Sequence, residues 1–338
     1  MSEILTRIVD LTNLKGVSDF HLADGADLRY RSNGLLEKDS VLVGNGFVHE
    51  LMSGSLNEDE LTGFLEQGDA DFAMNVGNLR FRVNAFKSSS GNCAIMRLIP
   101  NSPPSIADLN LPSVVEEICS LRHGLVLVTG ATGSGKSTSL AAMIRHINET
   151  RQHNIITIED PIEFIHQPLS CNIVQRQVGK DTTSFARSLR GALRQDPDVI
   201  LVGELRDLET IRLALTAAET GHLVFATLHT SSAPGAITRI LDVFPAEQQA
   251  QIKTQLAQSL RMVLTQALHR TLDGAGRVAS FEVLINNTPV SNMIREGKVH
   301  QLSNVMQTGR SVGMVTMEHS LAELKKAGRI PGDAIVGH

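Results

Sequence analysis

The sequence predicts an α/β protein. Most of the chain is expected to form a parallel sheet with covering helices, and a smaller α+β unit precedes this region. Three observations support this prediction. A glycine-rich loop at 130–137 lies between a strand-like apolar run and a helix-like segment. Further apolar runs between 154 and 228 alternate with helix-like segments, which is typical of a parallel sheet covered by helices. A proline-rich break at 100–105 separates this region from the residues before it.

The composition is ordinary for a globular protein of about two domains. The 338 residues carry 31 Lys and Arg against 36 Asp and Glu, a formal net charge of −5. Without a basic excess, stable nucleic-acid binding is not expected. No apolar run reaches the length of a transmembrane segment, and the N-terminus lacks a signal-peptide core. Cys93, Cys119 and Cys171 match no metal-ligand spacing, so we expect three small buried residues in a reducing compartment.

The α+β unit is assigned to residues 1–100. The apolar residues at 4–9 share one face of a helix, which is expected to pack on a core; binding to a membrane surface is the alternative. The segment 79–86 alternates apolar and polar residues, the pattern of a half-buried strand. The polar face of that strand carries Arg80, Arg82 and Asn84.

The loop at 130–137 reads GATGSGKS and fits the pattern G-x-x-x-x-G-K-[ST], which wraps nucleotide phosphates. Glycines allow the sharp turn and point backbone N–H groups inward, and the following helix N-terminus adds partial positive charge. Lys136 is predicted to reach the β- and γ-phosphates, and the Ser137 hydroxyl to ligate Mg²⁺. The residues predicted to contact the nucleotide here are Thr132, Gly133, Ser134, Gly135, Lys136, Ser137 and Thr138.

Two acidic clusters follow predicted strands. Glu159, Asp160 and Glu163 come after the strand at 154–158, at the position where ligands of open α/β sheets bind. Their carboxylates can hold Mg²⁺ or orient an attacking water, and an acidic turn is the alternative. The second cluster ends the apolar strand at 199–202. There Gly203 and Glu204 stand where many NTPases have Asp-Glu, so Glu204 is predicted to act through the Mg²⁺ shell.

Two histidines, His222 and His229, bracket a third predicted strand at 223–228. Each can be an ordinary structural histidine, but His229 follows the carboxyl end of the strand and is better placed to sense a γ-phosphate. The extended strand between them spans roughly 20 Å or more, so the pair is not expected to bind a metal. A helix is predicted over 208–219, capped by Asp207. Beyond about 270 the strands are expected to give way to helices, most clearly at 316–327.

Together these motifs resemble those of the secretion ATPases, and within them the twitching-motility (PilT) retraction ATPases of type IV pili. The phosphate loop, the aspartate box at 156–164, the Walker B segment at 196–207 and the histidine box at 220–230 all match. The segment 289–298 resembles the retraction motif A-I-R-N-L-I-R-E. It keeps Asn292, Ile294, Arg295 and Glu296 and departs from it at Pro289, Val290, Ser291 and Met293.

The resemblance implies a RecA-like P-loop ATPase domain behind an N-terminal PAS-like domain, with a C-terminal helical subdomain. The expected boundaries are 1–100 for the PAS-like domain, 101–112 for a linker, 113–270 for the ATPase core and 271–338 for the helical subdomain. It also implies the cofactors ATP and Mg²⁺ and a homohexamer. The hexamer is expected in the cytoplasm, at the inner membrane through the pilus machinery and its platform protein.

For the site, the resemblance implies Glu163 as general base and Glu204 as the carboxylate that supports Mg²⁺ and water. Arginines of the N-terminal domain, Arg82 and Arg97 with Arg80 as a further candidate, are expected to approach the γ-phosphate. Arg239 is a candidate as well, and any of these arginines can instead be a surface charge. Glu159, Asp160 and His222 are expected to contribute to nucleotide binding.

The expected function is a hexameric ATPase that drives pilus disassembly, and hence pilus retraction and twitching motility, by domain rotation. The four-cysteine zinc site of pilus-extension and type II secretion ATPases cannot form, because only Cys171 follows the phosphate loop. An accessory retraction, secretion, DNA-uptake or pilus-assembly motor is the alternative within the superfamily. A RecA-like nucleic-acid translocase and an inactive regulatory ring are alternatives of other classes.

Overall fold

The computed structural model describes residues 2–14, 16–32, 34–99, 102–274 and 276–335. The chain divides into two compact units after Ser102, and the segment Asp273–Gly276 groups with the first unit. This division falls within the expected linker at 101–112, and Pro103–Pro112 groups with the second unit. No helix among the described residues is long and apolar enough to cross a bilayer.

The first unit is an α+β sandwich built on an antiparallel sheet. Its described strands lie in the spatial order β3-β2-β1-β6-β5-β4. In chain order the elements are α1 (Glu3–Thr12), β1 (Val17–Ala23), β2 (Asp27–Ser32), β3 (Leu35–Leu42), α2 (Phe47–Ser53), α3 (Glu58–Gln67), β4 (Asp69–Val76), β5 (Leu79–Ser88) and β6 (Gly91–Ile99).

The polarity patterns of this unit predicted which side chains are buried. The apolar face of α1 packs on the core through Ile4, Ile8 and Leu11. The alternation along β5 buries Phe81 and Val83 and leaves the polar side chains between them half-exposed. The core-packed interpretation of the first helix is therefore the correct one.

The second unit is built on a mixed sheet in the order β13-β12-β7-β11-β10-β8-β9. In chain order its first elements are α4 (Val114–Cys119), β7 (Gly124–Thr129), α5 (Lys136–Thr150), β8 (Asn154–Glu159), β9 (Asn172–Gln177), α6 (Phe185–Ala192), β10 (Val199–Val202), α7 (Leu208–Glu219) and β11 (Leu223–Leu228). The remaining elements are α8 (Ala233–Asp242), α9 (Ala246–Ser259), β12 (Leu260–Arg270), β13 (Arg277–Ile285), α10 (Thr288–Glu296), α11 (Leu302–Thr308) and α12 (Met317–Lys326), with two short 3-10 turns at Val299–Gln301 and Gly309–Val312.

The central strand β7 is buried at every position, as expected for a strand that is covered on both faces. Leu125 and Leu127 point into one apolar cluster, and Val126 and Val128 point into the cluster on the other face. The helix predicted at 208–219 is α7, and the Asp207 carboxylate accepts a hydrogen bond from the Thr210 N–H as its N-cap.

The region after residue 270 differs from the expectation. The strands continue into β13, which pairs with β12 in an antiparallel hairpin and forms one edge of the sheet. Helices follow only after it, and the Thr316 hydroxyl caps the predicted helix α12. Three described strands of this sheet, β9, β12 and β13, lie outside the strands that the sequence predicts.

Candidate functional site

The parallel strands bring most of the predicted site residues to one edge of the sheet. β7, β11, β10 and β8 are neighbours in that order and run in the same direction. The phosphate loop, His229, Glu204 and the acidic segment that starts at Glu159 each follow the carboxyl end of one of these strands. Adjacent strands are about 4.8 Å apart, so the whole row spans about 14 Å. Ligands of open α/β sheets bind at this edge.

The phosphate loop is open on one side and packed on the other. Ala131, Thr132 and Gly133 are exposed, whereas Ser134 is buried. Gly133 and Gly135 have φ of 77° and 89°, in the left-handed region that glycine adopts without strain. α5 starts at Lys136, directly after the loop, so the first N–H groups of this helix have no partner within the helix. The exposed side of the loop therefore presents donors suited to an anion.

Lys136 is buried, and its ammonium lies within the loop. Nζ donates to the carbonyl oxygens of Gly130 and Ala131 at 2.8 and 3.0 Å. Burial lowers the pKa of Lys136, while the negative charges of Glu204 and Glu163 act in the opposite direction. The structure thus brings the lysine and the two carboxylates close enough to interact electrostatically. A buried cation with these neighbours fits a polyphosphate with an associated divalent metal.

In the acidic segment at the end of β8, hydrogen bonds among the described residues hold the carboxylate of Glu159 but not that of Glu163. Glu159 Oε1 accepts hydrogen bonds from Thr157 Oγ1 at 2.6 Å and from Gln175 Nε2 at 3.1 Å. Burial raises the pKa of Glu159, and the charge of Glu163 adds to the rise. Glu163 is half-buried, and its side chain has no hydrogen-bond partner among the described residues. Glu163 is therefore the freer of the two to act on a ligand.

Glu204 follows β10 and is held by two basic side chains. Arg206 Nε donates to Oε2 at 2.7 Å, and His229 Nε2 lies 3.1 Å from Oε1. Gly203 packs so closely on β8 that a Cβ there would lie 3.1 Å from the Ile158 carbonyl oxygen. A side chain at 203 has little room. This crowding is a physical reason for a glycine rather than a second carboxylate before Glu204.

A cleft of about 390 Å³ gathers three of the predicted residues, Glu204, His229 and Arg239. His229 is exposed at the end of β11, and its Nε2 contacts the Glu204 carboxylate. Arg239 lies on α8, is exposed, and has no hydrogen-bond or ion-pair partner among the described residues. Its guanidinium is thus available to an anionic group that enters the cleft.

His222 is at the other end of β11. Its Nδ1 lies 2.9 Å from the Ala217 carbonyl oxygen, and its own carbonyl accepts from the Gly124 N–H at the start of β7. Because β7 and β11 are parallel, the whole length of the strand separates His222 from the phosphate loop of its own chain. The expectation that His222 contributes to this nucleotide site therefore needs correction. Its contacts with the end of α7 are those of a structural histidine.

The arginines predicted to approach the γ-phosphate belong to the first unit, where Arg82 and Arg97 are direct partners across β5 and β6. Each is paired with a carboxylate. Arg97 Nε donates to Asp19 at 2.7 Å, and Arg82 Nη2 donates to Asp71 at 3.2 Å. Burial opposes ionisation of Asp19, but hydrogen bonds from Ser18 and Arg97 outweigh it and lower the pKa.

Arg80 has a buried Nε with no hydrogen-bond partner among the described residues. It lies on the same face of β5 as Arg82, as the alternation predicted.

Sequence reasoning missed two glutamines that support the site. Gln175 on β9 donates to Glu159, and Gln266 on β12 donates to the carbonyl oxygen of Ser134 in the phosphate loop at 2.5 Å. No motif marks either residue, and both reach the site only because their strands pair beside β8 and β7. The one available signal was the polar pair at 265 and 266 within the mostly apolar run 262–268.

The segment 289–298 forms most of α10 and is capped by Asn287. Val290 and Ile294 are buried, and Ser291 Oγ donates to the Ala257 carbonyl at the end of α9. Arg295 and Glu296 are exposed. The departures from the retraction motif thus fall partly on positions that pack this helix against α9.

Comparison with known proteins covers nearly the whole chain. The family model "Type II/IV secretion system protein" matches residues 9–327. The type IV pilus retraction ATPase PilT of Pseudomonas aeruginosa is 46% identical over 96% of this chain and 95% of its own length. A twitching motility protein of Neisseria gonorrhoeae is 49% identical over 90% of this chain and 80% of its own length.

Among solved structures, a crystal structure of the pilus retraction motor PilT with bound ADP superposes with a TM-score of 0.90 at 43% identity. The match covers 98% of this chain and 96% of that one. Both units of the present chain thus fall within the matched region. On this evidence the chain belongs to the type II/IV secretion system protein family and, within that family, to the PilT pilus retraction ATPases.

Proposed function

We propose that this protein is an ATP-hydrolysing motor that retracts type IV pili by driving their disassembly. The observation that carries the proposal is the convergence of the phosphate loop, Lys136, Glu163 and Glu204 at the carboxyl edge of one parallel sheet. The relatives named for pilus retraction and twitching motility support the biological role.

The residues divide the chemistry among them. The exposed backbone of the loop and the first turn of α5 hold the phosphates, and the Lys136 ammonium moves from the loop carbonyls to the β- and γ-phosphate oxygens. Glu163, whose carboxylate has no hydrogen-bond partner among the described residues, orients or deprotonates the attacking water. His229 and Arg239 face the same cleft as Glu204 and sense the γ-phosphate. Positioning and electrostatics supply most of the rate in such phosphoryl transfer.

Mg²⁺ fits the donor set, because the Ser137 hydroxyl and the Glu204 carboxylate are hard oxygen ligands beside the loop. When bound, the ion would neutralise charge on the phosphates as it develops. Glu159, whose carboxylate already accepts two hydrogen bonds, orders the segment that carries Glu163. Asp160 is exposed and stays a candidate for nucleotide binding.

We further propose that the working form is a cytoplasmic homohexamer in which Arg82, with Arg97 and Arg80 as further candidates, completes the site of a neighbouring subunit. The hexamer acts at the inner membrane through the pilus platform protein and the pilus machinery. Arg82 is the first candidate because its partner Asp71 is exposed. An exposed ion pair is weak, so the guanidinium can exchange the carboxylate for a phosphate.

The test combines enzymology with a cell assay. ATP turnover is measured for the purified chain and for Lys136→Ala, with and without single-stranded DNA, and the gene is deleted in its host. Turnover that is lost in the variant and insensitive to DNA, together with hyperpiliated and non-motile cells, is the expected result. Bald cells would indicate an assembly motor, strong stimulation by DNA would indicate a translocase, and absent turnover would indicate a regulatory ring. Each of these three outcomes contradicts the proposal.

A further inference from the structure

The phosphate loop packs against β12, a strand that carries no sequence motif. β12 lies beside β7 and runs parallel to it. Backbone pairing sets their register, with Thr265 opposite Thr129, and the buried hydroxyls of these two residues are 2.8 Å apart. That register places Gln266, which is only 2% exposed, directly beneath the loop.

Gln266 contacts three positions of the loop. Its side-chain Nε2 donates to the carbonyl oxygen of Ser134. A Cβ added at Gly130 would collide with the backbone oxygen of Gln266, and one added at Gly135 would lie 3.1 Å from Nε2. The glycines at the start and end of the loop are thus required in part because the loop packs so closely on this residue.

The hydrogen bond to Ser134 determines the orientation of a peptide group that faces the ligand. In a trans peptide the C=O and the following N–H point in opposite directions. Because the amide of Gln266 draws the Ser134 carbonyl toward the buried side, the Gly135 N–H is directed toward the open side of the loop. That side is exposed at Ala131, Thr132 and Gly133.

Two further polar atoms are buried at this contact. Gln266 Oε1 and Ser134 Oγ have no hydrogen-bond partner among the described residues. Buried polar side chains are rarely left without partners. An aliphatic side chain of similar length would fill the same space without this cost, so packing alone does not explain a glutamine here.

We infer that Gln266 is a positioning residue that holds the phosphate loop in its nucleotide-binding conformation by anchoring the Ser134 carbonyl. The inference rests on the proposed function in so far as the ligand is a nucleotide. Gln266 is buried and bonds to the loop backbone, so its loss weakens binding rather than the chemical step.

The test uses two variants of the full-length chain and one control. Gln266→Met keeps the length and removes both polar atoms, and Gln266→Asn keeps a neutral amide that is one methylene too short to reach the Ser134 carbonyl. Thr265→Val, the neighbouring residue on β12, removes a buried hydrogen bond to β7 without touching the loop backbone. The measurements are the Kd for ADP, the KM and kcat for ATP, and amide hydrogen exchange at 130–137 in the nucleotide-free protein.

We expect the ADP Kd and the KM to rise about tenfold or more in both Gln266 variants, the usual effect of leaving one buried carbonyl unpaired. kcat should stay within about twofold of the wild type. Loop amides should exchange faster without nucleotide, most clearly at Gly135. Thr265→Val should lower stability yet leave the ADP Kd within about twofold.

Three results would overturn the inference. These are unchanged ADP affinity in both Gln266 variants, a fall in kcat at constant KM, and an equal loss of affinity in Thr265→Val. If Gln266→Met does not fold, Gln266→Asn carries the test, because it keeps a polar amide at this site and adds no charge. A wild-type protein that binds no ADP would instead contradict the proposed function itself, so the two failures are distinguishable.

Discussion

Replacement of Lys136 by methionine should affect the protein before any nucleotide is added. The sequence alone suggests that this lysine needs no partner in the fold and that stability changes little when it is removed. The structure indicates otherwise, because Nζ donates to two loop carbonyls, those of Gly130 and Ala131. Methionine keeps the length and the apolar stem of the side chain and removes only the ammonium.

The size of the effect follows from those two hydrogen bonds. Hydrogen bonds from a charged donor contribute about 1.5–3 kcal/mol each, and an unpaired buried carbonyl costs about 1–3 kcal/mol. The bond to Gly130 is buried, whereas the Ala131 carbonyl can be hydrated. Burial of the ammonium, which lowers the pKa of Lys136, offsets part of the gain. We therefore expect the free energy of unfolding to fall by about 1–2 kcal/mol.

The assay is urea unfolding of the nucleotide-free protein, followed by circular dichroism and repeated with ADP. In the wild type, ADP at a hundred times its Kd should add about 2.7 kcal/mol, and this increment should disappear in Lys136→Met. Lys180→Met is the matched control, since Lys180 is exposed and its side chain has no partner among the described residues. An unfolding midpoint equal to that of the control, or an undiminished ADP increment, would refute the reasoning.

Three further predictions concern the carboxylates and the arginines. Glu163→Gln should retain ATP affinity and stall hydrolysis; if Glu204→Gln alone stalls turnover, the two roles are reversed. Arg97→Ala should destabilise the first unit by about 1–3 kcal/mol near neutral pH, because it leaves the buried Asp19 carboxylate without its counter-charge and with only the hydrogen bond from Ser18. Arg82→Ala should cost less than about 1 kcal/mol. The folded-state pKa of Asp19 is lowered, so the extra loss in Arg97→Ala should shrink as pH falls through that pKa. Fluorescence of Tyr30, the only tyrosine in a chain without tryptophan, reports unfolding of this unit, and equal losses in both variants at neutral pH would contradict the pairing argument. Finally, mixing Lys136→Ala with Arg82→Ala protein should restore part of the ATP turnover if Arg82 completes a neighbour's site; no recovery in proven mixed rings would place the arginine elsewhere.

Local signals were sufficient for much of the site. The glycine pattern, the strand before it and the helix after it lie within one continuous stretch, so the sequence alone predicts the phosphate loop. The cap Asp207 was readable for the same reason, because a cap bonds to a backbone N–H three residues away. Carboxylates directly after apolar strands indicated the edge of the sheet at which Glu163 and Glu204 lie.

What only the tertiary structure decided depends on pairing between distant segments. Gln266 reaches Ser134 of the phosphate loop, 132 residues earlier in the chain, because β12 pairs with β7, and no local pattern encodes that neighbour. His222 lies away from the loop because parallel pairing puts the two ends of β11 at opposite edges of the sheet. Arg97 forms an ion pair with Asp19 because the register between β1 and β6 places these two residues opposite each other. Strand order and register are set by burial of the whole sheet rather than by the residues of one strand.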